Sequence, residues 1–250
     1  KGYQTKRAYL LKGEKLPPGE FGVMHGYMKI PELKKVCHAY GVSINEYLVA
    51  VYVWSVYTEC MHGMPSERPV RVAVPVNLRP YFNSITTKNF FVMVSAEFHP
   101  TKEIYTFEEV LKSVSESLRS QISRENLEKL FSYNVSNEKL LAARIVPLFL
   151  KNLAMRYVYT TSALANTATV TNIGNISVSE EYRPYVEMFH AFLAMSKGQH
   201  LKGTICSYGD TLVFSFSYDL TDTSVQRGFF RKIAADGIAV EIETNGVNYE

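Results

Sequence analysis

Apolar positions in this chain follow three rhythms, and each predicts a kind of element. Two near-continuous β-branched and aromatic runs, Val70–Val76 and Phe90–Phe98, predict strands buried on both faces, as in a sheet covered by helices. Pro75 donates no ladder hydrogen bond, so the first of these strands should end there or lie at an edge. Strict alternation sets Leu212, Phe214, Phe216 and Tyr218 against Val213, Ser215, Ser217 and Asp219. Thr211–Asp219 is therefore a strand with one core face and one largely polar face. Tyr208, Gly209 and Asp210 join it to Gly203–Ser207 as a hairpin. Ile238, Val240 and Ile242 repeat the alternation near the end of the chain. Phe21–Ile30 and Thr167–Ile176 also predict strands, the latter ending in a glycine turn. Tyr185–Met195, flanked by strands, is read as a further one, and Lys6–Lys12 as a short one.

Helical spacing fills the intervals. Pro31 opens a helix as a first-turn proline, and Gly41 stops it after Tyr40. Ser43 and Glu46 have capping-box spacing, each side chain satisfying an orphan amide. The helix they start, Ile44–Met61, is apolar nearly all round, which predicts a buried helix with Trp54 in the core. Thr106 and Glu109 form a second capping box, and Phe107, Val110, Leu111, Val114, Leu118 and Ile122 recur on one face behind it. Asn126–Phe131 predicts another turn or two. Lys139–Tyr157 is strongly apolar and contains Pro147, which kinks a helix or begins a new one. Met155 and the aromatics around it are read as core. Thr223 caps a helix carrying Val225, Phe229 and Ile233, closed by Gly237. The interleaving of strands and helices predicts one α/β (α+β) domain over residues 1–250.

Composition narrows the function classes. Hydrophobic content of 46% with 20% charged residues suits a folded domain with a sizeable core. The net charge is only +3, and no basic block stands out, which argues against nucleic acid as a partner. The longest apolar run, Tyr47–Tyr57, is too short to span a bilayer. Cys37, Cys60 and Cys206 are far apart and form no CxxC, which favours a reducing, cytoplasmic setting and no zinc site. The chain opens at Lys1 rather than a methionine, so a missing N-terminal part is expected.

The chemistry-bearing patterns GxSxG, GxGxxG, P-loop and HExxH are absent. Six histidines are scattered without metal-ligand spacing. Arg79, just after a buried strand, either has a fixed acidic partner or reaches solvent from a loop. The Ser215, Ser217 and Asp219 row is either a ligand-contacting or a solvated face. Cys206 on a hairpin arm reads as a buried structural thiol ahead of a nucleophile, the latter being the signature of a cysteine hydrolase.

Four pieces in order resemble one superfamily: VSINEYLVAVYVW, PVNLRPYF with its following NFF, TVTNIGNI, and GTICSYGDTLVFSFSYDLTDTSVQRGFF. Together they are similar to the chloramphenicol-acetyltransferase-like superfamily, which includes condensation domains of peptide synthetases, wax ester synthases and alcohol acetyltransferases. The resemblance implies a mixed β-sheet flanked by helices, forming one half of a two-half fold with a tunnel between the halves. This chain resembles the C-terminal half and contains no HHxxxDG, the family motif that carries the catalytic histidine. The implied function is transfer of an acyl group from a thioester, acyl-CoA or a carrier protein, to an alcohol or amine. No permanently bound cofactor is implied. The implied partners are the missing N-terminal half and small-molecule donor and acceptor, with homo-oligomerisation through the exposed half–half surface as a further expectation. Arg79 matches the arginine that pairs with the aspartate of the catalytic motif. Thr171 and Asn172 match the strand end facing the tunnel, and Ser215, Ser217 and Asp219 lie near it. The alternative is a non-catalytic binding module on the same half-fold.

Overall fold

A strand is covered on the side where its apolar residues fall, and here that side is shared by strands far apart in sequence. The computed structural model describes residues 7–139 and 146–247, with backbone alone for 133–139. Its strands are β1 (Gly22–Lys29), β2 (Val70–Asn77), β3 (Phe91–Phe98), β4 (Ala168–Asn175), β5 (Leu201–Tyr208), β6 (Thr211–Tyr218) and β7 (Glu241–Thr244). They form one sheet in the order β3-β2-β4-β5-β6-β1-β7. The β2–β4 and β4–β5 pairs are parallel and the others antiparallel, so the sheet is mixed. The helices are α1 (Ile30–Tyr40), α2 (Ile44–Ser55), α3 (Arg79–Phe82), α4 (Phe107–Gln121), α5 (Arg124–Lys139), α6 (Leu148–Ala163) and α7 (Ser224–Ala235).

One face of the sheet carries the core. Val72, Val94, Ala168, Val170, Ile205, Phe214 and Phe216 join α2, α4 and α7 in a single buried cluster. Helix α2 buries almost every side chain, as its all-round apolarity predicts, and both capping boxes form. Past Ser55 the helix widens into a π-type turn over Val56–Cys60 instead of continuing regularly to Met61. Trp54 is only partly buried, packed against the core from its rim.

Helix α4 does a second job. Strand β3 ends the sheet, and its outward backbone groups meet polar side chains spaced one turn apart on α4. Ser113 Oγ donates to the Glu97 carbonyl at 3.2 Å. Ser117 Oγ donates to the Ser95 carbonyl at 3.0 Å and accepts from the Glu97 amide at 3.1 Å. Gln121 donates to the Ser95 carbonyl at 2.7 Å and accepts from its amide at 3.1 Å. The edge is thus closed by side chains at Ser95 and Glu97, where another strand would otherwise dock.

Several expectations are corrected. β3 alternates exposed and buried positions and is covered on one face only, because it is the edge strand beside α4. Pro75 neither ends β2 nor lies on an edge strand. β2 runs on to Asn77, and β4 pairs with it only at Val72 and Ala73, so Pro75 sits where β4 has already diverged. Of the expected Lys6–Lys12 strand, Lys6 lies outside the described residues and Arg7–Lys12 forms no strand; Ala8 and Tyr9 amides donate instead to the Leu164 and Pro69 carbonyls. Asn126–Phe131 belongs to the longer α5. Pro147 begins a new helix, α6, and residues 140–145 of the predicted Lys139–Tyr157 run lie outside the described residues. Met155 and its aromatic neighbours are not core. Met155 is 65% and Tyr157 73% exposed, because no side chain of α6 is buried.

Tyr185–Met195 is not a strand. After a short 3₁₀ turn at Arg183–Tyr185 the chain runs as an irregular strap. β4, β5, β6 and β1 each have a strand on both sides, so no ladder edge is free for it among them.

Candidate functional site

Opposite the helices, the alternation of β4, β5, β6, β1 and β7 builds a polar row. Thr171 pairs with Thr204, Thr204 with Ser215, Ser215 with His25, and His25 with Glu243. Paired residues in a sheet point to the same side, so the five side chains form one line across five strands. Ser215 is buried, and its hydroxyl lies 2.7 Å from His25 Nδ1. Thr204 is also buried, and its hydroxyl has no hydrogen-bond partner among the described residues. A buried hydroxyl without a partner carries a desolvation cost, and such groups cluster where strain or a ligand accounts for them.

The strap of residues 186–195 crosses this row and is held by side chains of the sheet. Cys206 Sγ donates to the Phe189 carbonyl at 3.2 Å, Ser217 Oγ to that of Leu193 at 2.6 Å, and Lys202 Nζ to that of Ala194 at 2.8 Å. Burial lowers the pKa of Lys202 and raises that of Cys206. His190, on the strap, stacks over His25 with ring centroids 4.5 Å apart. Its Nε2 lies 2.8 Å from the Tyr27 hydroxyl, which also makes a short hydrogen bond to Glu243. Burial first, and His190 second, lower the pKa of His25 and favour its neutral ring.

The residues singled out in the sequence separate in space. Thr171 and Ser215 belong to the polar row. Asn172 points the other way, folding back so that its Oδ1 accepts the Gly174 amide at 2.8 Å. Ser217 is committed to the strap, and Asp219 accepts from or pairs with His200 Nδ1 at 2.8 Å. Arg79 is half-buried, and among the described residues its guanidinium meets oxygens of its own loop rather than a carboxylate. It donates to the Thr86 carbonyl at 2.8 Å, the Lys88 carbonyl at 2.7 Å and Asn77 Oδ1 at 3.2 Å, tying up its own loop. Cys206 is a buried thiol hydrogen-bonded to a carbonyl rather than to a histidine, which disfavours the cysteine-hydrolase reading. His25, Tyr27, His190 and Glu243 were missed. The alternation of β1, with Gly22, Met24, Gly26 and Met28 on the helix side, already set His25 and Tyr27 on the other face. Among the described residues, no group of three His, Cys, Asp or Glu side chains could hold a metal ion, and no helix is long and apolar enough to cross a membrane.

No family model matches the sequence, and no curated protein matches it either. Solved structures do. A nonribosomal peptide synthetase, FmoA3, aligns over 92% of this chain and 22% of its own, with a TM-score of 0.59 at 16% identity. TRI3 trichothecene 15-O-acetyltransferase from Fusarium sporotrichioides aligns over 90% of this chain and 48% of its own, with a TM-score of 0.57 at 14% identity. Wax ester synthase/diacylglycerol acyltransferase from Marinobacter aquaeolei VT8 aligns over 92% and 52%, with a TM-score of 0.51 at 15% identity. The fold is therefore the chloramphenicol-acetyltransferase-like, condensation-domain fold that the sequence motifs resemble. The chain spans about a fifth to a half of the length of these proteins.

Proposed function

We propose that this chain is the C-terminal half of an acyltransferase that moves an acyl group from a thioester, acyl-CoA or an acyl carrier, to an alcohol or amine. The observation that carries the reading is α6. A helix of 16 residues that exposes Leu148, Phe149, Leu153, Met155, Tyr157 and Tyr159 is an unfinished surface, and a partner half would cover it. That this chain aligns over only 22% to 52% of the matched structures agrees with this. In the reading, Arg79 pairs with the aspartate of the catalytic motif on the absent half. Of the five residues expected at the tunnel where the thioester meets the acceptor, Thr171 and Ser215 share one face, while Asn172 turns to the other and Ser217 and Asp219 already hold partners within the chain. A hydroxyl at Thr171 would stabilise the tetrahedral oxyanion. No resident cofactor is invoked; the thioester arrives as cosubstrate. The second reading, a non-catalytic binding module, is favoured by the commitment of Ser217 and Asp219 to partners within the chain.

The test compares the native polypeptide, isolated with an antibody raised against this chain, with the 250-residue chain alone. Thiol release from acetyl-CoA with a panel of alcohols and amines is expected from the native polypeptide and not from the chain. A native polypeptide of this same length, silent in the assay, overturns the half-enzyme reading in favour of the binding module.

A further inference from the structure

Tyr27, His190 and Glu243 play no part in that reading, yet they form a connected set. Tyr27 has one hydroxyl proton and two neighbours, Glu243 Oε2 and His190 Nε2. Glu243 as a carboxylate can only accept, so the proton points to it. The phenol oxygen must then accept from His190, which fixes the imidazole with its proton on Nε2 and leaves the Nδ1 lone pair without a hydrogen-bond partner among the described residues. Burial, and then the hydrogen bond to Glu243, raise the pKa of Tyr27, so the phenol keeps its proton. This is the carboxylate-to-imidazole orientation that prepares a base, with a tyrosine inserted between the two.

The surroundings fit that role. His190 is exposed, beside a groove of about 870 Å³ lined by Tyr27, Lys29, Glu187, Glu241 and Glu243 among others. Lys29 is held by Asp210 at 3.0 Å, which leaves the glutamates to set the local charge. Beneath His190 lies His25, whose neutral ring does not oppose a positive charge forming above it.

We propose that His190, oriented by Tyr27 and Glu243, is a general base of this chain for a neutral or cationic hydroxyl-bearing acceptor. In the step, the acceptor oxygen attacks the carbonyl carbon of an acyl ester or thioester as its proton passes to His190 Nδ1. The tetrahedral adduct then collapses, the bond from carbon to the leaving oxygen or sulfur breaks, and the proton leaves His190 with the leaving group or to water. The inference needs only this chain, so it stands or falls separately from the half-enzyme reading. A negatively charged donor such as acetyl-CoA is opposed by the glutamates, so a silent acetyl-CoA assay does not bear on it.

The experiment uses the 250-residue chain with p-nitrophenyl acetate as a neutral donor. Choline, propanol and glycolate serve as cationic, neutral and anionic alcohols. Choline and propanol are expected to accelerate p-nitrophenolate release on the order of 10²-fold over an equal concentration of free imidazole, and glycolate is not. His190→Gln should return the rate to background, and Tyr27→Phe should lower it roughly tenfold. Glu243→Gln should move the rising limb of the pH–rate profile to lower pH, a change that a merely structural glutamate would not cause. Glu243 is exposed, so this variant should fold even if another does not. The proposal is overturned by a wild-type rate equal to free imidazole, by a His190→Gln protein that keeps the rate, or by glycolate serving as well as choline.

Discussion

At Gly26 a single missing atom decides how closely a helix meets the sheet. A Cβ built there would lie 2.1 Å from the Phe230 ring on α7, so the aromatic edge occupies the space that the glycine leaves. Gly26→Ala should cost about 2–3 kcal/mol through overpacking, read as a lower urea midpoint. Phe230→Leu in the same chain should recover part of it, since the two changes share one contact. His25, the next residue, faces the other way and answers to pH. Its folded pKa is lowered, so the unfolded chain takes up this proton at a higher pH than the folded chain does. Its contribution to stability is therefore complete above about pH 6.5 and is lost as the pH falls from there through the folded value. The melting temperature should decline across that window, and His25→Gln should flatten the decline. An equal slope in the variant would assign the acid sensitivity to another group.

Among the elements, α4 most clearly does two things with one helix. Its apolar stripe feeds the core, while Ser113, Ser117 and Gln121 close β3. Ser117→Ala removes one donor and one acceptor from that edge and should cost about 1–2 kcal/mol. Light scattering during slow concentration should rise in the variant, because the freed backbone groups invite another strand. How much of this was legible follows from sequence distance. Both capping boxes and the β5–β6 hairpin are written within a few residues, and each formed; the all-round apolarity of α2 foretold its burial, though the regular helix ends at Ser55 and Trp54 stays at the rim. The edge-sealing role of Ser113, Ser117 and Gln121 was written as a polar stripe, but nothing local says which strand it meets. The site was less legible still. His25 and Ser215 are 190 positions apart, and only the β1–β6 register brings them together. The strap has the apolar content of a strand. It fails to be one because of the sheet order, which no single segment encodes.

At the scale of the whole molecule, the exposed α6 and the two ends of the sheet govern behaviour in solution. A dye that fluoresces on apolar surfaces should bind the isolated chain well, and its signal should fall in the native polypeptide if a partner half covers α6. An unchanged signal would mean that α6 is exposed in both. The sheet itself is asymmetric at its ends. On β3 the outward groups of Ser95 and Glu97 are taken by α4, while those of Phe91 and Met93 have no partner among the described residues; nothing among the described residues pairs with the outer side of β7, a strand of four residues. Indefinite stacking of sheets into a fibre requires every subunit to be adhesive at two places. Here the native ladder is open at β7 and only half open at β3. Two copies joined β7 to β7 would bring both half-covered β3 edges to the outside, where a third could pair only at Phe91 and Met93. The serines of α4 thus act as a brake: they halve the edge on which growth beyond a pair could continue, and a chain that has first lost α4 would extend the sheet more readily.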